Sequence, residues 1–191
     1  VNILGTNDAA VIAGVDTRNL TETDTVLTTG GTLSISDVDG PATFVAQTNV
    51  AGSAGYGKFT IDASGNWTYT ANTAHNEFVA GTTYTDTLTV AAADGTTHVL
   101  TVNILGTNDA AVIAGVDTRN LTETDAVLTT GGTLVVSDVD SATTIVSQTN
   151  VAGSNGYGKF TIGANGVWTY TMDSAHNEFV AGTTYTDTLT V

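Results

Sequence analysis

The sequence predicts an all-β protein made of two tandem β-sandwich repeats, and three observations predict it. Slid against itself, the 191-residue chain matches at an offset of about 101, with about 15 mismatches over roughly 90 pairs. Helical periodicity is missing, while Thr and Val abound. Turn residues recur about every eight to twelve positions, the spacing of short antiparallel strands.

The elements follow in order. Residues 3–23, ILGTNDAAVIAGVDTRNLTET, return letter for letter at 104–124, which reads as a joint followed by the opening strand of a module. GTLSISDVD (31–39), YGKFTI (56–61), NWTYT (66–70), TYTDTLTV (83–90) and THVLTVNIL (97–105) are the clearest strands. Side chains alternate across a strand, so Phe59 and Ile61 share one face, as do Trp67 and Tyr69, with threonines opposite. DASGN (62–66) is a Gly-containing hairpin loop, and Asp94-Gly95 is the strongest two-residue turn signal. The count comes to about seven strands per repeat.

The pattern begins partway through a module. Residues 1–6 read as the end of a preceding repeat's last strand, 7–107 as repeat 1, and 108–191 as repeat 2 lacking its final strand. Near-identity of the copies, with no Met at position 1, points to a piece of a longer tandem array. Repeat 2 is expected to have an open sheet edge, which invites strand exchange with residues 1–5 or a neighbouring molecule.

Charge narrows the function. Nineteen acidic residues face four basic ones (Arg18, Lys58, Arg119, Lys159), for a formal charge of −15. Phosphate recognition needs clustered Lys and Arg, so the composition argues against nucleic acid and anionic membranes as partners. No run of eighteen apolar residues predicts insertion into a membrane. Cysteine is absent, which removes disulfides and thiolate metal sites.

The carboxylates are patterned. SDVD occurs at 36–39 and 137–140, and aspartates at i and i+2 point the same way, so Asp37 with Asp39 and Asp138 with Asp140 can converge on a cation. The same spacing is common at a solvated strand end. Asn7-Asp8 and Asn108-Asp109 stand where one repeat passes into the next, and Glu22 and Glu123 add a carboxylate near the start of each unit. Hard oxygen ligands of this kind suit Ca²⁺. An enzyme would have to rest on His75, Glu77 and His98, which have no nucleophile beside them, and the histidines read as loop or surface residues. A carbohydrate- or surface-binding module that makes adhesive contact itself is the competing reading. It would need exposed aromatics, whereas Trp67 and Tyr69 alternate with threonine as core residues do.

Taken together, GTNDA, DVD, YGKFTIDASGNWTY and ADGT resemble the VCBS-type, cadherin-like extender repeats of giant bacterial RTX (biofilm) adhesins, over essentially the whole chain. The resemblance implies immunoglobulin-like (cadherin-like) β-sandwich repeats in an extended rod, exported by a type I pathway to the bacterial cell surface. It also implies calcium at the joints, shared by a glutamate of one repeat, an Asn-Asp linker and a D-x-D of the next. Carried onto this chain, the central joint would use Glu22, Asn108, Asp109, Asp138 and Asp140. The preceding joint would use Asn7, Asp8, Asp37, Asp39 and Asp94. The cadherin Asp-Arg-Glu segment has no evident counterpart here, and the RTX nonapeptide GGxGxD is missing, as expected of an extender region. The implied function is a spacer that projects a terminal adhesive domain, with neighbouring repeats and calcium ions as its partners.

Overall fold

The computed structural model describes residues 1–191 and is all-β, divided into two compact units, Val1–Asp109 and Ala110–Val191. Unit 1 contains eight strands: β1 (Val11–Gly14), β2 (Thr17–Thr21), β3 (Thr28–Ser36), β4 (Gln47–Ala51), β5 (Gly57–Ile61), β6 (Asn66–Ala71), β7 (Thr83–Ala91) and β8 (Thr97–Leu105). They form a sandwich of a five-stranded sheet, ordered β1-β3-β6-β5-β4, and a three-stranded sheet, ordered β2-β8-β7. One pairing, β2 with β8, is parallel, setting Leu20 opposite Ile104.

The core is built by alternation. In β6 every second residue (Trp67, Tyr69, Ala71) is buried, and Leu100, Val102 and Ile104 of β8 are fully buried against them. Phe59, Ile61, Trp67 and Tyr69 all face inward, as the sequence pattern predicts. Trp67 also has its polar tip satisfied, because Nε1 donates to the Val15 carbonyl at 2.6 Å. The chain crosses from one sheet to the other between β1 and β2. There Gly14 adopts φ +118, and a Cβ on it would stand 2.5 Å from the Thr32 carbonyl oxygen.

The Asp94-Gly95 turn is wider than a two-residue hairpin. β7 stops at Ala91 and β8 starts at Thr97, with Ala92 N–H donating to Thr96 O and Gly95 N–H to Ala92 O. The extra length frees the Asp94 carboxylate for another task, described below.

Unit 2 contains β9 (Val112–Gly115), β10 (Thr129–Ser137), β11 (Gln148–Ala152), β12 (Gly158–Ile162) and β13 (Val167–Met172). They repeat the five-stranded sheet in the order β11-β12-β13-β10-β9. The copies of β2 and β7, residues 118–122 and 184–191, carry no strand pairing. The strand count is therefore eight and five, not about seven in each repeat, because a second sheet forms only where β8 is present to join its two neighbours.

Candidate cation site

Glu22 follows β2 directly. Parallel pairing with β8 lays it against that strand's end, where Glu22 N–H donates to the Leu105 carbonyl at 2.8 Å. Gly106 then lets the chain pass under the 78–82 turn. A Cβ there would stand 2.4 Å from the Val79 carbonyl oxygen and 2.6 Å from that of Phe78. The result delivers Thr107 and Asp109 to Glu22. Thr107 donates to Glu22 Oε2 from both its hydroxyl and, at 3.3 Å, its backbone N–H.

Glu22 is only 2% exposed, yet its Oε1 is shielded from solvent with no hydrogen-bond partner. Leaving a buried carboxylate oxygen unmatched is costly, which marks the place as one where a cation belongs. Asp24 and Asp109 stand beside it, and one carboxylate oxygen from each of the three residues lies within 4.8 Å of the others. Asn76 reaches in from the 72–82 loop, donating from Nδ2 to Asp109 Oδ1 at 3.4 Å, and its own Oδ1 is shielded and unpartnered. No Lys or Arg lies within 4.0 Å of any carboxylate; every such pair in the protein involves a histidine. Three carboxylates and an amide, all offering oxygen, form a donor set for a hard divalent cation such as Ca²⁺.

Asn76 is placed by its neighbour. His75 is buried at φ +63, with Nδ1 2.8 Å from Glu77 Oε1 and Nε2 2.6 Å from the Tyr56 carbonyl. Its ring stacks on Phe78, which stacks on Tyr84. The expectation of a loop or surface histidine is thus corrected for His75: the residue lies in a loop, but it is a buried anchor that sets the direction of Asn76. The hydrogen bond from His75 holds the Glu77 carboxyl below its ordinary range.

A second acidic group gathers at the start of unit 1. Asp39 accepts Asp8 N–H on both oxygens at 3.2 Å, and Asp94 accepts Ala10 N–H at 2.8 Å. Bonds from the Thr96 hydroxyl and from Ala10 and Thr96 N–H lower Asp94 to about 2. Asp37 Oδ1 caps the turn by accepting from Asp39 and Gly40 N–H, while its Oδ2 is shielded and unpartnered. Here Asp37 and Asp39 act first as turn-formers, and no three carboxylates of this group meet as Glu22, Asp24 and Asp109 do. Asn7 and Asn108 are exposed, each donating to the carbonyl of the aspartate that follows, Asp8 and Asp109.

In unit 2, Asp138 Oδ1 accepts from Asp140 and Ser141 N–H, which lowers its pKa. Both carboxylate oxygens of Asp140 are shielded and without a hydrogen-bond partner. Glu123 is exposed. The sequence reading named Glu22 and Asp109 but missed Asp24 and Asn76. Glu22-x-Asp24 carries the same i, i+2 signal that singled out the two SDVD pairs. Asn76 carries no such local signal.

An immunoglobulin-like sandwich repeated in tandem, with an acidic oxygen cluster at the end of its last strand, defines the class. The profile of the bacterial cadherin-like domain matches residues 7–106, and that of the bacterial Ig domain matches residues 108–191. The chain belongs to the bacterial cadherin-like domain family. No curated protein matches it. Similar solved structures include the crystal structure of the Protocadherin GammaB4 extracellular domain, at 18% identity and a TM-score of 0.49. The match covers 90% of this chain, which spans 28% of that one.

Proposed function

We propose that the chain is a pair of spacer repeats from a secreted bacterial surface adhesin, acting through length and stiffness to project an adhesive domain. The observation that carries the reading is Glu22, buried with an unmatched oxygen beside Asp24, Asp109 and Asn76. These residues would hold Ca²⁺ where the chain leaves repeat 1. Bound there, the ion fixes the direction of residues 107–109; without it, the like charges repel and the joint loosens. Recruitment of Asp138 and Asp140 to the same joint, a rod-like array, RTX-type export to the cell surface and a role in biofilms rest on the sequence resemblance. The glycan-binding alternative loses its platform at the tryptophans, since Trp67 and Trp168 are 1% and 8% exposed.

Isothermal titration with CaCl₂ and MgCl₂ tests the site. The reading expects calcium binding with Kd of about 10⁻⁴–10⁻³ M and at least a tenfold loss in Glu22→Gln. Unchanged binding in Glu22→Gln and Asp109→Asn would remove this site from the account.

A further inference from the structure

In unit 2 the place of β8 is an open groove of about 800 Å³. Its walls include Leu121, Phe160, Trp168, Tyr170 and Leu189, and its rims are the two unpaired segments, 118–122 and 184–191. In unit 1 the corresponding segments are joined by one strand. There β8 sets Val102 against Arg18 and Asp86, and Ile104 against Leu20 and Tyr84, with Val102 and Ile104 fully buried.

The same strand sequence occurs unpaired elsewhere in the molecule. Residues 1–5, VNILG, are identical to 102–106, form no strand, and hold Val1, Ile3 and Leu4 at 121%, 91% and 92% exposure. We propose that the groove of unit 2 is a docking site for residues 1–5 of a second copy of this chain, which enter as a strand in the place of β8. The period of two along a strand specifies the register. Val1 falls between Arg119 and Asp187, and Ile3 between Leu121 and Tyr185, both pointing inward. Asn2 and Leu4 face out, as Asn103 and Leu105 do. Asn2 then meets Thr186, repeating the 2.8 Å hydrogen bond from Thr85 to Asn103.

Docking has a chemical consequence, which rests on the calcium reading above. Residues 6–8 follow the strand as 107–109 follow β8. Thr6 therefore reaches Glu123 as Thr107 reaches Glu22, and Asp8 joins Glu123 and Asp125 as Asp109 joins Glu22 and Asp24. Each contact between copies builds its own acidic cluster, and calcium strengthens it. Donor and acceptor are different surfaces, so the contact is heterologous and propagates head to tail.

Sedimentation velocity of the full chain over a concentration series, in millimolar Ca²⁺ and in EGTA, tests the proposal. The expected result is a ladder of dimers and longer species. It is lost on deletion of residues 1–5, an exposed segment whose removal leaves the far-ultraviolet dichroism unchanged, and at least tenfold weakened in Ile3→Asp. The chain has no cysteine, so register has a direct readout. Asn2→Cys with Thr186→Cys should form an intermolecular disulfide, and Asn2→Cys with Thr188→Cys should not. A chain that stays monomeric throughout overturns the proposal. So does association that survives the deletion, which would assign it to the exposed sheet edges. Association that needs residues 1–5 but ignores calcium and Glu123→Gln upholds the strand while refuting the cation cluster.

Discussion

Unit 1 and unit 2 are nearly one sequence folded to two degrees of completion. Phe59, Tyr69 and Trp67 are 0%, 0% and 1% exposed, whereas Tyr170 and Trp168 stand at 9% and 8%, and Phe160 is only partly buried. Ring geometry is retained: the Phe59–Tyr69 centroids lie 4.7 Å apart and the Phe160–Tyr170 centroids 4.6 Å. The aromatic face of the five-stranded sheet therefore assembles without help, and β8 supplies its cover. A buried carboxylate is treated the same way in both units. Asp86 accepts from Ala54 N–H, Gly57 N–H and the Tyr69 hydroxyl, and Asp187 from Asn155 N–H, Tyr157 N–H and the Tyr170 hydroxyl. Local turns survive the loss of the strand; closure of the sandwich does not.

The largest effect should come from opening unit 1. Leu100→Asp places a charge at a fully buried position of β8 and should cost about 4 kcal/mol or more. One tryptophan per repeat lets each unit be followed alone, Trp168→Phe leaving Trp67 to report unit 1. The comparison expects unit 1 to melt above unit 2 in the parent, and Leu100→Asp to bring it down to or below unit 2. A single shared transition in the parent would mean that β8 is not what separates them.

Glycine offers a sharper test, because one sequence context occurs in two settings. A Cβ at Gly106 collides with backbone oxygens, while Gly5, its copy, has nothing within 4 Å. Gly106→Ala should cost about 1–3 kcal/mol and weaken calcium binding. Gly5→Ala should leave the stability of the monomer unchanged and should weaken head-to-tail association. Equal effects on thermal stability would contradict the two environments described.

How far this was legible beforehand varies with the element. β8 was readable to its ends, since Leu100, Val102 and Ile104 alternate with polar neighbours and both faces are decided by burial. β1, β2 and β4 were not, because they are short edge strands with almost no buried residue to impose a period. At the site, Glu22 and Asp109 were legible from charge and position. Asn76 was not, because its approach to Asp109 depends on a left-handed His75 and on stacking with Phe78 and Tyr84, which only the folded chain brings together. The D-x-D spacing at Asp37 was legible, but the spending of one oxygen on its own turn was not.

The smallest effect concerns pH. In unit 2, His176 sets Nδ1 2.7 Å from Glu178 Oε1 and Nε2 2.8 Å from the Tyr157 carbonyl, so both nitrogens can donate when the ring is charged. The Glu178 bond, followed by the carbonyl, raises the histidine above 6.5, and the same pair lowers Glu178 below 4.5. A raised histidine stabilises fully below about pH 6.5 and loses that contribution as pH climbs through its folded value. A lowered carboxylate contributes above about pH 4.5 and loses its share as pH falls through its folded value. The pair therefore contributes most between those limits. His176→Gln should flatten the decline in unit 2 stability above pH 6.5, followed by Trp168 fluorescence in Trp67→Phe. A decline that persists unchanged would assign it to other groups.

The central claim is that calcium held at Glu22 stiffens the passage out of repeat 1. Small-angle X-ray scattering of the chain lacking residues 1–5, in millimolar Ca²⁺ and in EGTA, tests it most directly. The account predicts a longer, narrower distance distribution with calcium, and no such change in Glu22→Gln. Identical distributions with and without calcium would contradict it.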